Sequence, residues 1–163
     1  MEVAQVPDMF VKLLELPDDS TDVARLKAEG INIRRIRPYE RSILHRFVTQ
    51  NFNEAWGDEV LSAFAREPAS CFVATHAKKI IGFSCYECTC RNFFGPMGVL
   101  KEYRGKEIGK VLLLAGLRAL HEMGYAYCII GGVGPADFYT KCCGATPIPD
   151  SVPGIYGDGL ERG

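Results

Sequence analysis

The chain has 163 residues, 47% of them hydrophobic and 24% charged, with a formal net charge of -1. This composition is typical of one folded domain with a packed core, and it excludes a disordered chain. Because the 19 basic residues are balanced by 20 acidic ones, the composition gives no electrostatic indication of binding to nucleic acid or to an anionic membrane surface. No apolar run approaches the ~20 residues that span a bilayer.

The sequence also gives expectations about location. The segment from Met1 to Gln5 lacks the basic start and the long apolar stretch of a secretory signal peptide. Seven cysteines, an odd number, favour reduced thiols over a disulfide framework. We therefore expect a cytoplasmic protein, a monomer or a homodimer, with neither a nucleic-acid nor a membrane partner.

Two regions are predicted within a single domain. Residues 1–30 are predicted to form an N-terminal extension, in which a short apolar stretch precedes a brief helix that ends at Gly30. Residues 31–163 are predicted to form the main domain. Its first elements are a strand over residues 31–37, a helix that follows Tyr39, and a helix over residues 54–66.

The middle of the main domain is predicted to form strands, and the later part alternates strands with helices. In chain order the predicted elements are strands at 71–74, 80–90 and 93–100, a helix from the end of the 101–106 loop to Met123, a strand at 125–131, a short helix after Pro135, and a strand near Ile148. This order predicts an α/β fold with a mixed central sheet. We expect an antiparallel meander, one parallel crossover, and flanking helices.

The segment from Val99 to Lys110 has the features of a phosphate-binding loop. It follows an apolar strand and begins a helix, where unpaired backbone N–H groups and the positive end of the helix dipole coincide. Gly105 and Gly109 allow a phosphate to approach the backbone closely. Basic side chains add positive charge nearby: Arg104, Lys106 and Lys110. The alternative is an ordinary strand-to-helix turn with solvated charges.

Two other phosphate motifs are excluded by the residues present. A P-loop would need glycine at Arg104 and a hydroxyl residue at Val111, so nucleoside triphosphate hydrolysis is not expected. A second glycine cluster, Gly131–Gly134, follows a predicted strand, but Asp137 stands where a dinucleotide fingerprint requires its last glycine. The 99–110 segment is therefore the better candidate for an anion site.

This segment and a second motif resemble the GNAT superfamily of acetyl-CoA-dependent N-acetyltransferases. The segment is similar to the superfamily's acetyl-CoA signature, and Phe138-Tyr139-Thr140-Lys141 is similar to its Phe-Tyr-x-Lys motif. The resemblance covers roughly residues 31–150. It implies a central strand that splays from its neighbour and acetyl-CoA as co-substrate, with no metal. The residues implied to hold acetyl-CoA are Val99, Leu100, Arg104, Gly105, Lys106, Glu107, Ile108, Gly109 and Lys110.

Three departures from the superfamily pattern stand out. Glu107 occupies the middle glycine position of the usual Arg-Gly-x-Gly-x-Gly loop, so its carboxylate must point away from bound phosphates or weaken their binding. Gly131-Gly132 stands where an asparagine is often found. The segment Cys142–Ala145 is one residue longer than the usual Lys-x-Gly-Phe continuation.

Acetyl transfer to an amine needs an unprotonated nucleophile, stabilisation of a developing oxyanion, and a proton for the leaving thiolate. The resemblance implies Tyr139 as the proton donor, although a tyrosine here can also simply pack on the sheet. The backbone N–H of Val99 is expected to stabilise the oxyanion. Glu87 is the candidate general base, since Phe83, Cys85 and Thr89 share its predicted strand face and can raise its pKa. The alternative places Glu87 at a solvated strand end.

Other chemistry-bearing residues receive structural interpretations. Cys85, Cys88 and Cys90 lack a knuckle turn and a matching histidine, so zinc binding is not expected. Cys142-Cys143 is expected to be buried and inert rather than nucleophilic. Glu54 and Trp56 are candidates either for acceptor binding or for a helix cap and core.

The function expected from the sequence is direct transfer of an acetyl group from acetyl-CoA to a primary amine. The acceptor is expected to be a small molecule or a peptide. The alternative is a non-catalytic acyl-CoA-binding sensor that uses the same loop.

Overall fold

The computed structural model describes residues 6–163. Residues 1–5, which carry the expectation about a signal peptide and begin the predicted extension, lie outside the described residues. The strands are β1 Met9–Lys12, β2 Ile31–Arg35, β3 Cys71–His76, β4 Lys79–Tyr86, β5 Phe93–Val99, β6 Tyr127–Ile130 and β7 Thr146–Pro147. The helices are α1 Ser20–Ala28, α2 Arg41–Asn51, α3 Glu54–Val60, α4 Ile108–Glu122 and α5 Ala136–Cys143.

The strands form one sheet in the order β2-β3-β4-β5-β6-β1-β7. Strands β5 and β6 pair in parallel, whereas the other neighbouring pairs of this sheet are antiparallel. A parallel pair needs a crossover connection, and α4 provides it. The predicted mixed sheet, with an antiparallel meander, one parallel crossover and flanking helices, is confirmed.

Strand β1 places part of the predicted N-terminal extension inside the sheet. Met9–Lys12 pairs with all four residues of β6 and also with β7, so it separates these two strands. Met9 and Val11 are fully buried while Lys12 is exposed, which is the alternation expected of a strand with one face on the core. Residues 9–12 are therefore a structural part of the sheet rather than a preface to it.

Helices cover both faces of the sheet. On one face, α2 and α3 pack against Phe83 and Cys85 of β4. On the other face, α4 contributes fully buried leucines to the core: Leu112, Leu113, Leu114, Leu117 and Leu120. Burial of each such side chain contributes about 1.5–3 kcal/mol, so α4 is held firmly against the sheet. No helix in the described part of the chain is both long and apolar enough to cross a membrane.

Strand β4 ends earlier than predicted. The sequence pattern extended it to Cys90, but the strand stops at Tyr86 because Glu87 has a φ of +56°, outside the extended region. The Glu87 N–H donates to the Phe93 carbonyl at 2.7 Å and closes a loop between β4 and β5. The predicted alternation of faces therefore fails after Tyr86, and Glu87 does not share a strand face with Phe83.

Strands β5 and β6 diverge soon after they meet. Their pairing is limited to Phe93 with Ile129 and Phe94 with Ile130. Beyond this point, β5 continues to Val99 along β4, with a register shift between Ser84 and Tyr86 of β4. The divergence opens a gap in the sheet beside the second half of β5.

Candidate active site

A cavity of about 1110 Å³ occupies the gap between β5 and β6. Its walls include both diverging segments, 94–99 and 130–135. At one end it is lined by the beginning of α4 and by α5. At the other end it is lined by α3, Thr89 and residues 155–162. The cavity thus connects elements that cover opposite faces of the sheet.

The first end of the cavity is a candidate anion site. Helix α4 begins with no side-chain hydrogen bond to its cap, so the N–H groups of residues 108–110 have no acceptor within the helix. Gly105 has a φ of +81°, and a Cβ there would meet nothing within 4 Å, which leaves the backbone open to a ligand. The Arg104 side chain is exposed and has no ion-pair partner among residues 6–163. Uncapped amides, a helix dipole and an arginine together favour a phosphate.

Most of the residues predicted to bind acetyl-CoA line this cavity: Val99, Arg104, Gly105, Glu107, Ile108, Gly109 and Lys110. Leu100 and Lys106 do not. The Leu100 N–H donates to the Ile81 carbonyl at 2.9 Å, and the Lys106 ammonium pairs with Glu29 at 3.3 Å. These two residues support the loop from outside the cavity.

Lys110 lines the cavity, and its ammonium group forms an ion pair with a residue of α1. Its ammonium lies 3.0 Å from the Asp22 carboxylate, and this hydrogen bond raises the pKa of Lys110. Gly109, just before it, allows close packing, because a Cβ there would lie 3.4 Å from Phe138 and 3.5 Å from Met97. The start of α4 is therefore fixed against α1, α5 and β5.

Glu107 stands at a backbone position that favours glycine. Its φ of +68° lies in the left-handed region, which explains why the superfamily pattern has glycine there. The side chain is exposed, and its charge contributes to the raised pKa of Cys142, after burial of that thiol. The Glu107 carboxylate therefore lies at the same end of the cavity as the uncapped amides, where its charge would oppose a bound anion.

The N–H of Val99 is directed into the gap between β5 and β6. Leu100 donates its own N–H to Ile81 of the neighbouring strand β4. Successive N–H groups of a strand point to opposite edges, so the Val99 N–H points away from β4 and toward the cavity. This orientation leaves the Val99 N–H free to bind a group in the cavity, as the expected oxyanion donor must.

Tyr139 lies in the wall of the cavity on α5. The residue is 8% exposed, and its ring makes an edge contact with Phe138 at 5.1 Å between centroids. Burial raises the pKa of Tyr139 to about 12, with smaller contributions from the thiols of Cys143 and Cys142. The phenol is therefore protonated at neutral pH and able to donate.

Glu87 lies elsewhere. It is absent from the cavity wall, and its buried carboxylate is held by other groups in the β4–β5 region. It accepts hydrogen bonds from the Asn92 N–H and, at 2.9 Å, from the Tyr125 hydroxyl, and it pairs with Arg66 at 3.3 Å. A carboxylate so engaged, away from the gap, fixes the loop that follows β4. The geometry does not support Glu87 as a general base.

Glu59 is an acidic residue of the cavity wall that the sequence interpretation missed. It lies on α3 and accepts a hydrogen bond from the Thr89 hydroxyl at 2.8 Å. Burial raises the pKa of Glu59, while the Thr89 bond partly opposes that rise. Trp56, which was singled out from the sequence, also lines the cavity, and a position three residues later lies on the same face of a helix. This three-residue spacing from Trp56 could have identified Glu59 from the sequence.

The remaining candidates are structural. The Glu54 side chain is largely exposed and does not line the cavity. Burial raises the pKa of Cys85, with smaller contributions from the neighbouring thiols of Cys71 and Cys88. Burial raises the pKa of Cys143 to about 11, which makes this thiol a poor nucleophile. Within residues 6–163, no three His, Cys, Asp or Glu side chains are grouped to hold a metal ion.

Comparison with known proteins agrees with this geometry. Residues 67–142 match the family model described as an acetyltransferase (GNAT) domain. A GCN5-related glucosamine N-acetyltransferase region of a fungal multi-domain GH3 β-N-acetylglucosaminidase has a similar structure, with a TM-score of 0.71 and 20% identity over 88% of this chain and 20% of that one. A GCN5-related N-acetyltransferase from Sphaerobacter thermophilus has a TM-score of 0.67 and 18% identity, over 87% of this chain and 48% of that one. None of the curated proteins matches the sequence.

The sheet, its gap and the loop before α4 are those of a GNAT fold. Residues 67–142 match a GNAT acetyltransferase domain, which agrees with the family and the enzyme class predicted from the sequence, and the similar structures confirm the predicted fold. The chain spans about a fifth of the fungal protein and about half of the Sphaerobacter one.

Proposed function

We propose that this chain transfers an acetyl group directly from acetyl-CoA to a primary amine. The observation that carries the proposal is one cavity with complementary groups at its two ends. Uncapped helix amides, Arg104 and Tyr139 lie at one end, and Glu59 lies at the other. A direct transfer needs donor and amine side by side, and a cavity through the gap in the sheet allows this arrangement.

The first end of the cavity fits acetyl-CoA as co-substrate. The N–H groups of residues 108–110, the open backbone at Gly105 and the Arg104 guanidinium would hold the pyrophosphate. The unpaired edge of β5 at Val99 would pair with the amide groups of the pantetheine arm, as an added strand does. Bound in this way, acetyl-CoA supplies an activated acyl group as a thioester.

Three groups of the chain then serve the reaction. Glu59 takes a proton from the ammonium form of the acceptor, so that the neutral amine can attack the thioester carbonyl carbon. The Val99 N–H stabilises the negative charge that develops on the carbonyl oxygen. Tyr139 donates its proton to the sulfur as the carbon–sulfur bond breaks, and it regains a proton from the nitrogen that has become an amide.

The acceptor is a primary amine of a small molecule or a peptide. Because the fungal region is described as a glucosamine N-acetyltransferase, amino sugars belong in the acceptor screen beside alkylamines, polyamines and peptides. We propose the cytoplasm as the location, since the seven cysteines are free thiols, the state typical of a reducing compartment.

The test measures binding and turnover separately. Acetyl-CoA and desulfo-CoA are expected to raise the melting temperature in proportion to their concentration, with ATP much weaker. At least one amine of the screen is expected to release CoA thiol. No thermal shift at millimolar acetyl-CoA would contradict the donor site. Binding without thiol release from any amine would identify a non-catalytic acyl-CoA sensor.

A further inference from the structure

Residues 151–162 cross the cavity at the end where Glu59 lies, and we call this segment the strap. Near its start, the Ser151 hydroxyl accepts the Asp8 N–H at 2.9 Å and donates to the Ile148 carbonyl at 2.7 Å. Near its end, Arg162 pairs with Asp58 at 3.0 Å and with Glu54 at 3.3 Å, both on α3. The strap thus joins the β1–β7 edge of the sheet to α3 and passes along the cavity between them.

Tyr156 is the part of the strap that enters the gap beside β6. A Cβ placed on Gly131 would collide with the Tyr156 hydroxyl and would lie 2.9 Å from the Phe93 ring. The adjacent Gly132 has a φ of +56°, and its N–H donates to Asp8 at 2.9 Å. Tyr156 therefore occupies the space that a side chain at residue 131 would fill.

This contact explains a departure from the superfamily pattern. Gly131-Gly132 stands where an asparagine is often found, and in this chain the missing side chain makes room for Tyr156. Burial raises the pKa of Tyr156 to about 12, so its hydroxyl is neutral at physiological pH. The glycine pair and the strap thus form one feature of this chain.

We propose that the strap is a wall of the acceptor site and that Tyr156 restricts the acceptor to small primary amines. This inference rests on the proposed acetyl transfer. An amine carried by a peptide needs an open groove for its backbone, whereas the strap is attached at both sides of the cavity. The Arg162 ion pairs are exposed and screened by solvent, so this attachment can open to admit a small amine.

Two strap variants and one control test the proposal in the full chain. Tyr156→Ala removes the ring from the cavity, and Arg162→Ala releases the strap from α3. Tyr127→Ala is the control, since Tyr127 is a half-exposed tyrosine outside the cavity that stacks on Phe10 at 5.2 Å. Each variant is assayed for kcat/KM with ethylamine and with an acetyl-capped lysine heptapeptide, and for its CoA Kd and melting temperature.

The parent chain is expected to prefer ethylamine over the heptapeptide by at least ~10-fold in kcat/KM, the scale on which a pocket wall discriminates size. Tyr156→Ala and Arg162→Ala are expected to reduce that preference by at least ~5-fold, while the CoA Kd and the Tyr127→Ala profile stay unchanged. Equal use of both acceptors by the parent chain, or a preference unaffected by both variants, overturns the proposal. If Tyr156→Ala unfolds, the surface variant Arg162→Ala decides.

Acceptor binding is followed independently of turnover through Trp56, the one tryptophan of the sequence, which lines the cavity. Fluorescence titrations with both acceptors are performed in the presence of desulfo-CoA, which cannot react. If the parent chain binds ethylamine selectively, the variants lose that selectivity, and no amine releases thiol, the result supports the proposed role of the strap and contradicts the proposed acetyl transfer. Turnover combined with equal binding of ethylamine and the heptapeptide supports the proposed acetyl transfer and contradicts the proposed role of the strap.

Discussion

The Thr89 hydroxyl donates a hydrogen bond to the Glu59 carboxylate at 2.8 Å and so joins the loop after β4 to α3. The two influences on Glu59 oppose each other. Burial disfavours the charged carboxylate and raises its pKa, whereas the Thr89 hydrogen bond favours the charge and lowers it. A base that must accept a proton from an ammonium group benefits from a raised pKa, provided that it is ionised at the working pH.

We therefore predict that Thr89→Val moves the acidic limb of kcat/KM to higher pH. The substitution removes the donor that stabilises the carboxylate, so the pKa of Glu59 rises further and a larger fraction of the base is protonated on the acidic side of the profile. Activity on the alkaline plateau is expected to change little. The measurement is the pH profile of kcat/KM with ethylamine. An acidic limb that stays in place or moves to lower pH would show that Thr89 does not stabilise the ionised form of the catalytic base.

Glu59→Gln is expected to lower kcat by about 10²–10⁴ and to abolish that acidic limb, because the amide cannot accept the proton. The Glu59→Gln variant is expected to lose activity without losing stability. The pKa of Glu59 is higher in the folded chain than in the unfolded one, so its carboxylate costs stability as pH rises through that interval. Urea unfolding at pH 8 is expected to show a Glu59→Gln variant at least as stable as the parent. Full turnover in this variant would exclude Glu59 as the base.

Tyr139→Phe is expected to lower kcat by at least ~10²-fold while the CoA Kd and the melting temperature stay nearly constant. The change removes the hydroxyl and keeps the ring and its contact with Phe138. Because the pKa of Tyr139 is about 12, its ionisation should produce no alkaline limb below pH 10. Single-turnover measurements, in which chemistry limits the rate, provide the test. Near-complete activity would assign Tyr139 a packing role.

Glu107→Gly is expected to tighten CoA binding for two reasons that a second variant separates. Glycine removes the charge that opposes the phosphates, and it also relieves the left-handed backbone at φ +68°, which costs a non-glycine residue roughly 1–2 kcal/mol. Glu107→Gln removes only the charge. Both variants should bind CoA more tightly by calorimetry, with a gain that shrinks at high salt. Only the glycine variant should unfold at a higher temperature. Weaker binding by both would show that the carboxylate supports the loop.

Glu87→Gln is expected to reduce stability rather than catalysis. The carboxylate accepts from the Asn92 N–H and the Tyr125 hydroxyl, and a glutamine amide group would place donors against one of them. Loss of such buried hydrogen bonds costs about 1–3 kcal/mol in the free energy of unfolding, measured in urea. Tyr125→Phe, which leaves the carboxylate intact, should cost less. A stable Glu87→Gln variant with turnover reduced ~10²-fold would instead restore Glu87 as a catalytic candidate.

The sequence by itself determined the features that depend on neighbouring residues. The segment from Val99 to Lys110 combines a strand end, two glycines and a helix start within one short stretch, so its role at a helix N-terminus could be predicted without knowledge of the fold. Tyr139 could be named as a candidate for the same reason, since its motif is contiguous. The helices followed from their 3.6-residue periodicity. Strand β1 was missed because four residues show too little alternation to be distinguished from a loop.

The tertiary structure decided which distant residues meet. Glu59 and Thr89 are 30 positions apart, and only the packing of α3 beside the β4–β5 loop brings them together. Glu87 was predicted to share a strand face with Phe83 and Cys85 because the strand pattern was extended past Tyr86. A positive φ at Glu87 ends that pattern and turns its carboxylate toward Tyr125, which is 38 positions away. Long-range contacts of this kind depend on how the helices and loops pack around the sheet, and local sequence patterns do not determine that packing.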